Sequence, residues 1–142
     1  MPARPTVADL EAHVEHLCDS HGIERRLGGR GIAYRRGPAG RRQPGIRIPP
    51  IRSQITYAIA LHELGHLIGP GRSGPRLEKE AAAWRWALAA SMVPLSDHAR
   101  RSAGRRLRSY VVWAQHRQHR MRPPRIPEAG SPFWSLLAEL EA

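Results

Sequence analysis

Apolar residues recur along the first part of the chain with the period of an α-helix. They predict a helix over residues 6–21, in which Thr6 is the N-cap and Asp9 stands in capping-box position. Gly22 is typical of a helix C-terminus. The apolar stripe of this helix is expected to face the core and consists of Val7, Leu10, Val14 and Leu17.

The next segments alternate with a period of two and predict two short strands, over residues 31–36 and 45–51. The Gly- and Pro-rich residues 37–44 between them are predicted to form a loop. Pairing is expected to end at Pro49, since proline has no N–H to donate. An edge strand of such a sheet could align an extended substrate by strand addition.

Residues 55–68 are apolar at nearly every position, which is typical of a buried helix. Ser53 is its predicted cap, and Pro70 and Gly71 are expected to end it. The exception to the apolar pattern is one short polar motif, His62-Glu63-Leu64-Gly65-His66.

This motif has the spacing of a metal site. On a helix, His62 and His66 lie on one face and can present two imidazole nitrogens to one ion. Glu63 is rotated by about 100° and can reach a metal-bound water as a base without being a ligand. An ordinary buried helix is the alternative interpretation, but its buried polar groups would need partners, which a metal supplies.

The third ligand has to come from outside this helix. In the pattern His-Glu-x-x-His-x-x-Gly-x-x-His, Gly69 matches but the final position is Arg72, which cannot ligate zinc. That class is therefore excluded. A second helix is predicted over residues 73–91, with Ser73 or Gly74 as its N-cap and Pro75 near its first position.

Two carboxylates on this second helix are candidates, Glu78 and Glu80. Glu80 shares a face with Leu77 and Trp84 and is expected to point inward, whereas Glu78 is expected to face solvent near Arg85. We therefore predict Glu80 as the third metal ligand. The alternative is that Glu80 is simply an acid favoured by the helix dipole.

The last third of the chain predicts one long helical region and a short final helix. Ser96 can cap the long region, which is expected to reach residue 121 with a possible break at Gly104. Its inward stripe is Leu107, Tyr110, Val111 and Ala114. We assign residues 1–121 to one domain and residues 122–142 to a Pro-rich linker and a helix that opens at Pro132 and packs on the core.

The chain is strongly basic, with a formal net charge of +11. The positive electrostatic field of such a chain favours binding to nucleic acid or to an acidic protein partner. The arginines between Arg100 and Arg120 are either a solvated face or contacts to phosphates. No stretch of 18 apolar residues predicts a membrane span, the N-terminus lacks the apolar region of a signal peptide, and one cysteine indicates a reducing cytoplasm.

The first helix also carries polar residues that could suggest a second metal site: His13, His16, Cys18 and His21. Their spacing matches no common zinc framework. We interpret them as surface histidines beside a core cysteine.

Taken together, the His62–His66 motif, the run Glu78-Lys79-Glu80-Ala81-Ala82-Ala83-Trp84 and the closing Met92-Val93-Pro94 resemble the ImmA/IrrE-type metallopeptidases. The likeness covers about residues 45–94, although Arg85 replaces the alanine of the family pattern. It implies an α+β, mainly helical, zincin-like domain with a small sheet beside the motif helix. It also implies a zinc peptidase of bacteria, phages or mobile elements, whose substrate is often a DNA-bound repressor.

The resulting expectation is a Zn²⁺-dependent endopeptidase in which His62, His66 and Glu80 hold the metal and Glu63 is the catalytic base. The oxyanion stabiliser is not identified; Tyr57, Arg72 and His98 are candidates. The alternative function is a basic nucleic-acid-associated regulator with a structural or degenerate zinc site. A metal-dependent toxin or antitoxin partner is a third interpretation.

Overall fold

The computed structural model describes residues 4–37, 42–70 and 72–142. Over these residues the fold is α+β and mostly helical, with five helices and one small sheet. In chain order the elements are α1 (Val7–His21), β1 (Glu24–Leu27), β2 (Ile32–Tyr34), β3 (Gly45–Ile48), α2 (Gln54–Ile68), α3 (Arg76–Ala90), α4 (Asp97–Gln115) and α5 (Pro132–Glu141).

Helix α2, which carries the motif, lies at the centre of the fold. It packs against α1, α3 and α4 and against strands β2 and β3. Every residue from Tyr57 to Gly65 is buried, as its uniformly apolar sequence predicts. Ser53 caps it through a reciprocal capping box with Thr56, so the predicted start is confirmed. The motif is therefore held on the most enclosed helix of the molecule.

The sheet has the order β1-β3-β2, with β3 parallel to β1 and antiparallel to β2. Both predicted strands exist in shorter form, and β3 ends at Ile48, just before Pro49. Strand β1 was not predicted, because Glu24-Arg25-Arg26-Leu27 has no apolar alternation; it is aligned by ladder hydrogen bonds to β3. Of the predicted loop 37–44, residues 38–41 lie outside the described residues.

Helix α1 has the predicted capping box between Thr6 and Asp9, and Gly22 ends it in the left-handed conformation. One expectation is wrong: Val7 is exposed. Val7 is the first residue of the helix, where the chain has not yet reached the core, and the buried stripe is formed by Leu10, Val14 and Cys18.

Two helix boundaries differ from the prediction. Helix α3 begins at Arg76 with Pro75 as its N-cap, and neither Ser73 nor Gly74 caps it. Helix α4 ends at Gln115, six residues before the expected end, since residues 116–119 form turns instead of continuing the helix. Gly104 does not break α4; it is buried where α5 approaches, and a Cβ there would lie 3.2 Å from the Cβ of Leu140.

Helix α5 packs against α3 and α4 at the end of the chain. Its buried residues are Phe133, Leu136, Leu137 and Leu140. The irregular segment before it is fixed by a hydrogen bond that Trp134 Nε1 donates to the carbonyl of Pro127, at 3.0 Å. In the part of the chain that the structure describes, no helix is long and apolar enough to cross a membrane.

Candidate metal centre

Two histidines from α2 and one glutamate from α3 meet in the interior. The Nε2 atoms of His62 and His66 lie 3.3 Å apart. Glu80 Oε2 lies 3.3 Å from His62 Nε2 and 2.5 Å from His66 Nε2. His62 and Glu80 are buried, and His66 is half-buried. Three side chains that are ordinary metal ligands thus converge on one point from two helices.

The two helices can approach closely because α2 has a glycine at the crossing. A Cβ atom at Gly65 would lie only 2.7 Å from the backbone oxygen of Ala83. This contact holds the face of α3 that carries Glu80 against the histidines of α2. The short approach explains why the residue between the motif leucine and His66 is glycine in this fold.

The structure separates the two candidate carboxylates of α3. The Glu80 side chain is 7% exposed and points to the histidines, whereas the Glu78 side chain is 36% exposed. Glu78 pairs with Arg125 at 3.7 Å and not with Arg85, whose guanidinium instead donates to the carbonyl of Pro132. Glu78 was expected to face solvent near Arg85; it is only partly exposed, because the segment before α5 covers that side of the helix.

Glu63 also borders the histidine pair. The ligand atoms of His62, Glu63 and His66 all lie within 4.8 Å of one another, a group that could hold a metal by itself. Glu63 Oε1 is 3.7 Å from His62 Nε2, whereas Glu80 Oε2 is closer to both imidazoles. On distance, Glu80 is the better third ligand and Glu63 is the carboxylate beside the site.

Trp84 positions His62 from one turn further along α3. The two rings stack with centroids 4.2 Å apart and an angle of 23° between their planes. His62 Nδ1 and Trp84 Nε1 are buried without a hydrogen-bond partner among the described residues. Ring packing therefore sets the orientation of His62. In most metal sites a histidine is instead oriented by a hydrogen bond that its second ring nitrogen donates to a nearby acceptor.

Burial and mutual charge shift the pKa values in this cluster in opposite directions. Burial lowers the pKa of His62 and raises that of Glu63 to about 7. Burial also acts on Glu80 and His66, but their mutual interaction outweighs it, so that the pKa of Glu80 falls and that of His66 rises. The lowered pKa favours the charged Glu80 carboxylate, which is the form that a metal requires, whereas His66 has to be neutral to bind a metal.

The residues present fit a zinc ion. Ligand atoms of a tetrahedral zinc site lie about 3.4 Å apart, given metal–ligand distances of about 2.0–2.2 Å. The separation of the two imidazole nitrogens and that between His62 and Glu80 are both 3.3 Å. The pair of His66 and Glu80 would have to open by about 1 Å. Glu80 Oε2 is buried without an aligned hydrogen-bond donor among the described residues.

A cleft of about 410 Å³ opens onto His66, Glu63 and Glu80. Its other lining residues come from the segment around β2, from the end of α2 and from α3 and α4: Gly31, Ile32, Ala33, Arg35, Leu67, Arg72, Arg76, Lys79 and Tyr110. Tyr110 was expected only as a core residue of α4. Its position three residues from Leu107, on the predicted inward stripe, was the sequence signal for it.

The three candidate oxyanion stabilisers have different locations. Tyr57 is fully buried away from the cleft, where its hydroxyl contacts His13 Nδ1 at 2.6 Å and accepts from the Met92 N–H at 2.9 Å. His98 is exposed in the first turn of α4 and does not line the cleft. Only Arg72 lies in the cleft wall.

The polar residues of α1 do not form a second centre. His16 and His21 are exposed, His13 contacts Tyr57, and Cys18 is buried in the core. Within residues 4–37, 42–70 and 72–142, the one group of three or more potential ligands is the cluster around His62.

The chain matches no protein-family model, and searches of curated proteins and of solved structures find no match either.

Proposed function

We propose that this protein is a zinc-dependent endopeptidase with a zincin-like domain. The observation that carries the proposal is the position of Glu80: a carboxylate from a separate helix lies within 3.3 Å of both motif imidazoles. A histidine pair on one helix could be a coincidence of sequence, but here a buried acid from a second helix, α3, is directed at that pair. His62, His66 and Glu80 are the proposed ligands of Zn²⁺.

When bound, zinc would supply an activated water and polarise the carbonyl of the scissile peptide bond. Glu63 lines the cleft beside the histidines and is not needed as a ligand, so its carboxylate is free to accept the water's proton. The same carboxyl group then returns that proton to the leaving amine. Glu63 is buried and lines the cleft, so its proton exchange would take place at the cleft wall.

Tyr110 is the proposed donor to the developing oxyanion. It lines the cleft, and burial together with the neighbouring Glu80 charge raises its pKa to about 12. Its hydroxyl therefore keeps its proton at neutral pH and can donate a hydrogen bond. Arg72, the candidate from the sequence that also lies in the cleft, is exposed and is assigned to substrate contact instead.

The biological setting is proposed from the resemblance to the ImmA/IrrE-type metallopeptidases. It suggests a bacterial or phage-encoded cytoplasmic enzyme whose substrate is a regulatory protein such as a DNA-binding repressor. The exposed edge of strand β2 lies along the cleft and offers unpaired backbone groups to an extended peptide.

Comparison of the wild-type protein with Glu63→Gln tests the proposal. Both proteins are loaded with zinc, their metal content is measured, and hydrolysis of a mixed peptide library is followed by mass spectrometry. We expect one zinc per chain in each protein and hydrolysis by the wild type alone, because Gln cannot accept the proton. Loss of zinc from Glu63→Gln would identify Glu63 as a ligand and refute its role as base.

A further inference from the structure

Cations line both sides of the cleft beside the candidate metal centre. Four of its lining residues are positively charged: Arg35, Arg72, Arg76 and Lys79. Among the described residues of the lining, the only carboxylates are Glu63 and Glu80, which the proposed function already uses. The remaining charge of the wall is therefore entirely positive.

The cleft continues into a further cavity at each end. On one side it shares Gly31, Arg76 and Tyr110 with a cavity that adds Arg30 and Arg106. On the other side it shares Arg35, Leu67 and Arg72 with a cavity between the sheet and the end of α2. Positive charge thus extends beyond the candidate metal centre in both directions.

The cleft and the two cavities at its ends follow the segment around β2. Gly31 belongs to the end with Arg106 and Arg76, Ile32 and Ala33 line the middle, and Arg35 belongs to the opposite end. An extended chain advances about 3.4 Å per residue, so four residues span about 14 Å. A peptide lying along β2 would therefore pass cations before and after it passes Glu63 and Glu80.

Several of these cations are held in place without an acidic partner. Arg35 Nη2 donates to the carbonyl of Arg72 at 2.8 Å, and Arg106 Nη2 donates to the carbonyl of Arg30 at 3.1 Å. The Arg76 guanidinium lies over the rings of Tyr110 and Trp113, at 5.6 and 5.5 Å from their centroids. None of these arginines forms an ion pair with a carboxylate among the residues that the structure describes.

We propose that the cleft selects peptides with Asp or Glu side chains on both sides of the scissile bond; this rests on the proposed function. Guanidinium groups that are already ordered bind carboxylates by charge-assisted, often bidentate, hydrogen bonds. The neutral peptide bond lies over Glu63 and Glu80, and the acidic side chains reach the cations at the two ends.

A nucleic acid fits this path less well. A strand of nucleic acid carries one negative charge on every nucleotide, without a neutral gap. It would bring a phosphate next to Glu63, the cleft carboxylate that is not a proposed metal ligand, and like charges repel. An acidic peptide avoids this repulsion because its charges are on separate side chains.

Digestion of a randomised peptide library by the zinc-loaded protein tests this specificity. Mass spectrometry of the new termini reports which residues flank each cleaved bond. We expect Asp and Glu to be enriched on both sides. Arg35→Gln/Arg72→Gln should reduce the enrichment about tenfold on one side of the bond, and Arg76→Gln/Arg106→Gln should do so on the other.

Two control variants separate a local effect from net charge and from damage to the fold. Arg52→Gln/Arg122→Gln makes the same charge change at exposed residues outside the cleft and should keep the preference. Arg76→Lys/Arg106→Lys keeps the positive charge and should retain most of the preference for Asp and Glu. Hydrolysis without acidic enrichment, or equal loss in the Arg52/Arg122 variant, overturns the specificity while leaving the peptidase proposal intact.

If the wild type hydrolyses nothing, the proposed function fails and a binding measurement decides the specificity. The probe is a fluorescein-labelled peptide with Glu on both sides of two central apolar residues, compared with its Gln counterpart by anisotropy. Tighter binding of the Glu peptide that is lost only in the cleft variants supports the inference. Equal binding of both peptides, or displacement by single-stranded DNA at lower concentration than by the Glu peptide, overturns it.

Discussion

Gly65 of α2 lies directly against the backbone of Ala83 in α3, so close that a Cβ at Gly65 would lie 2.7 Å from the Ala83 oxygen. This glycine is one residue before His66 and the alanine is three residues after Glu80. The contact thus sets the distance between the helix that carries the two histidines and the helix that carries the third acid.

Gly65→Ala should therefore weaken both the fold and the metal centre. The added methyl group forces α3 away from α2, because a backbone carbonyl cannot rotate out of its path. We expect unfolding free energy to fall by about 1–3 kcal/mol and zinc affinity to fall as Glu80 moves outward. Thermal melting and zinc titration measure the two effects.

Gly104→Ala is the matched control, with its Cβ 3.2 Å from the side chain of Leu140 and no part in the metal centre. It should leave zinc affinity unchanged. Equal zinc affinity in Gly65→Ala and the wild type would show that the helix crossing does not position Glu80.

Two of the three tyrosines, Tyr57 and Tyr110, should respond to loss of the hydroxyl in opposite ways. Tyr57→Phe removes the partner of the Met92 N–H and of His13, and should cost about 1–3 kcal/mol of unfolding free energy with no loss of hydrolysis. Tyr110→Phe should lower kcat more than it changes KM, with little loss of stability. Denaturant unfolding and steady-state kinetics on both variants check this. A normal kcat in Tyr110→Phe would remove Tyr110 as the oxyanion donor.

Cys18 should be unreactive in the folded protein. It is buried in the core, and burial raises its pKa to about 11, so the thiol stays protonated at neutral pH. Because the thiolate is the nucleophile, iodoacetamide should modify Cys18 slowly at pH 7.5 and rapidly after unfolding in urea. Rapid modification of the native protein would mean that α1 separates readily from the core.

Much of the helical fold can be predicted from the sequence, since its signals are local. The capping box of Thr6, the cap at Ser53 and the uniformly apolar pattern of α2 fix those elements without distant contacts. Strand β1 could not be predicted, because its pairing with β3 is a contact between segments about twenty residues apart. The early end of α4 was likewise missed, since turns replace the helix after Gln115.

In the candidate site, too, local features could be predicted from the sequence and contacts between distant segments could not. Helical spacing predicted the common face of His62 and His66, and the apolar neighbours of Glu80 predicted that it is buried. Sequence reasoning missed the cations of the cleft wall and Tyr110, because they come from β2, α3 and α4 and meet only in three dimensions. The ligand and base roles remain predictions until metal binding is measured.

Zinc content of Glu80→Ala and Glu78→Ala tests the central claim, that Glu80 completes the metal centre. Glu80 lies within 3.3 Å of both imidazoles, whereas Glu78 contacts Arg125. We predict that Glu80→Ala lowers zinc affinity by more than about 100-fold, beyond the effect of an outer-shell residue, while Glu78→Ala binds zinc like the wild type. If both acids served only the helix dipole, each change would cost about 0.3–1 kcal/mol of stability and neither would alter zinc binding. Zinc lost from Glu78→Ala but retained by Glu80→Ala would contradict the account.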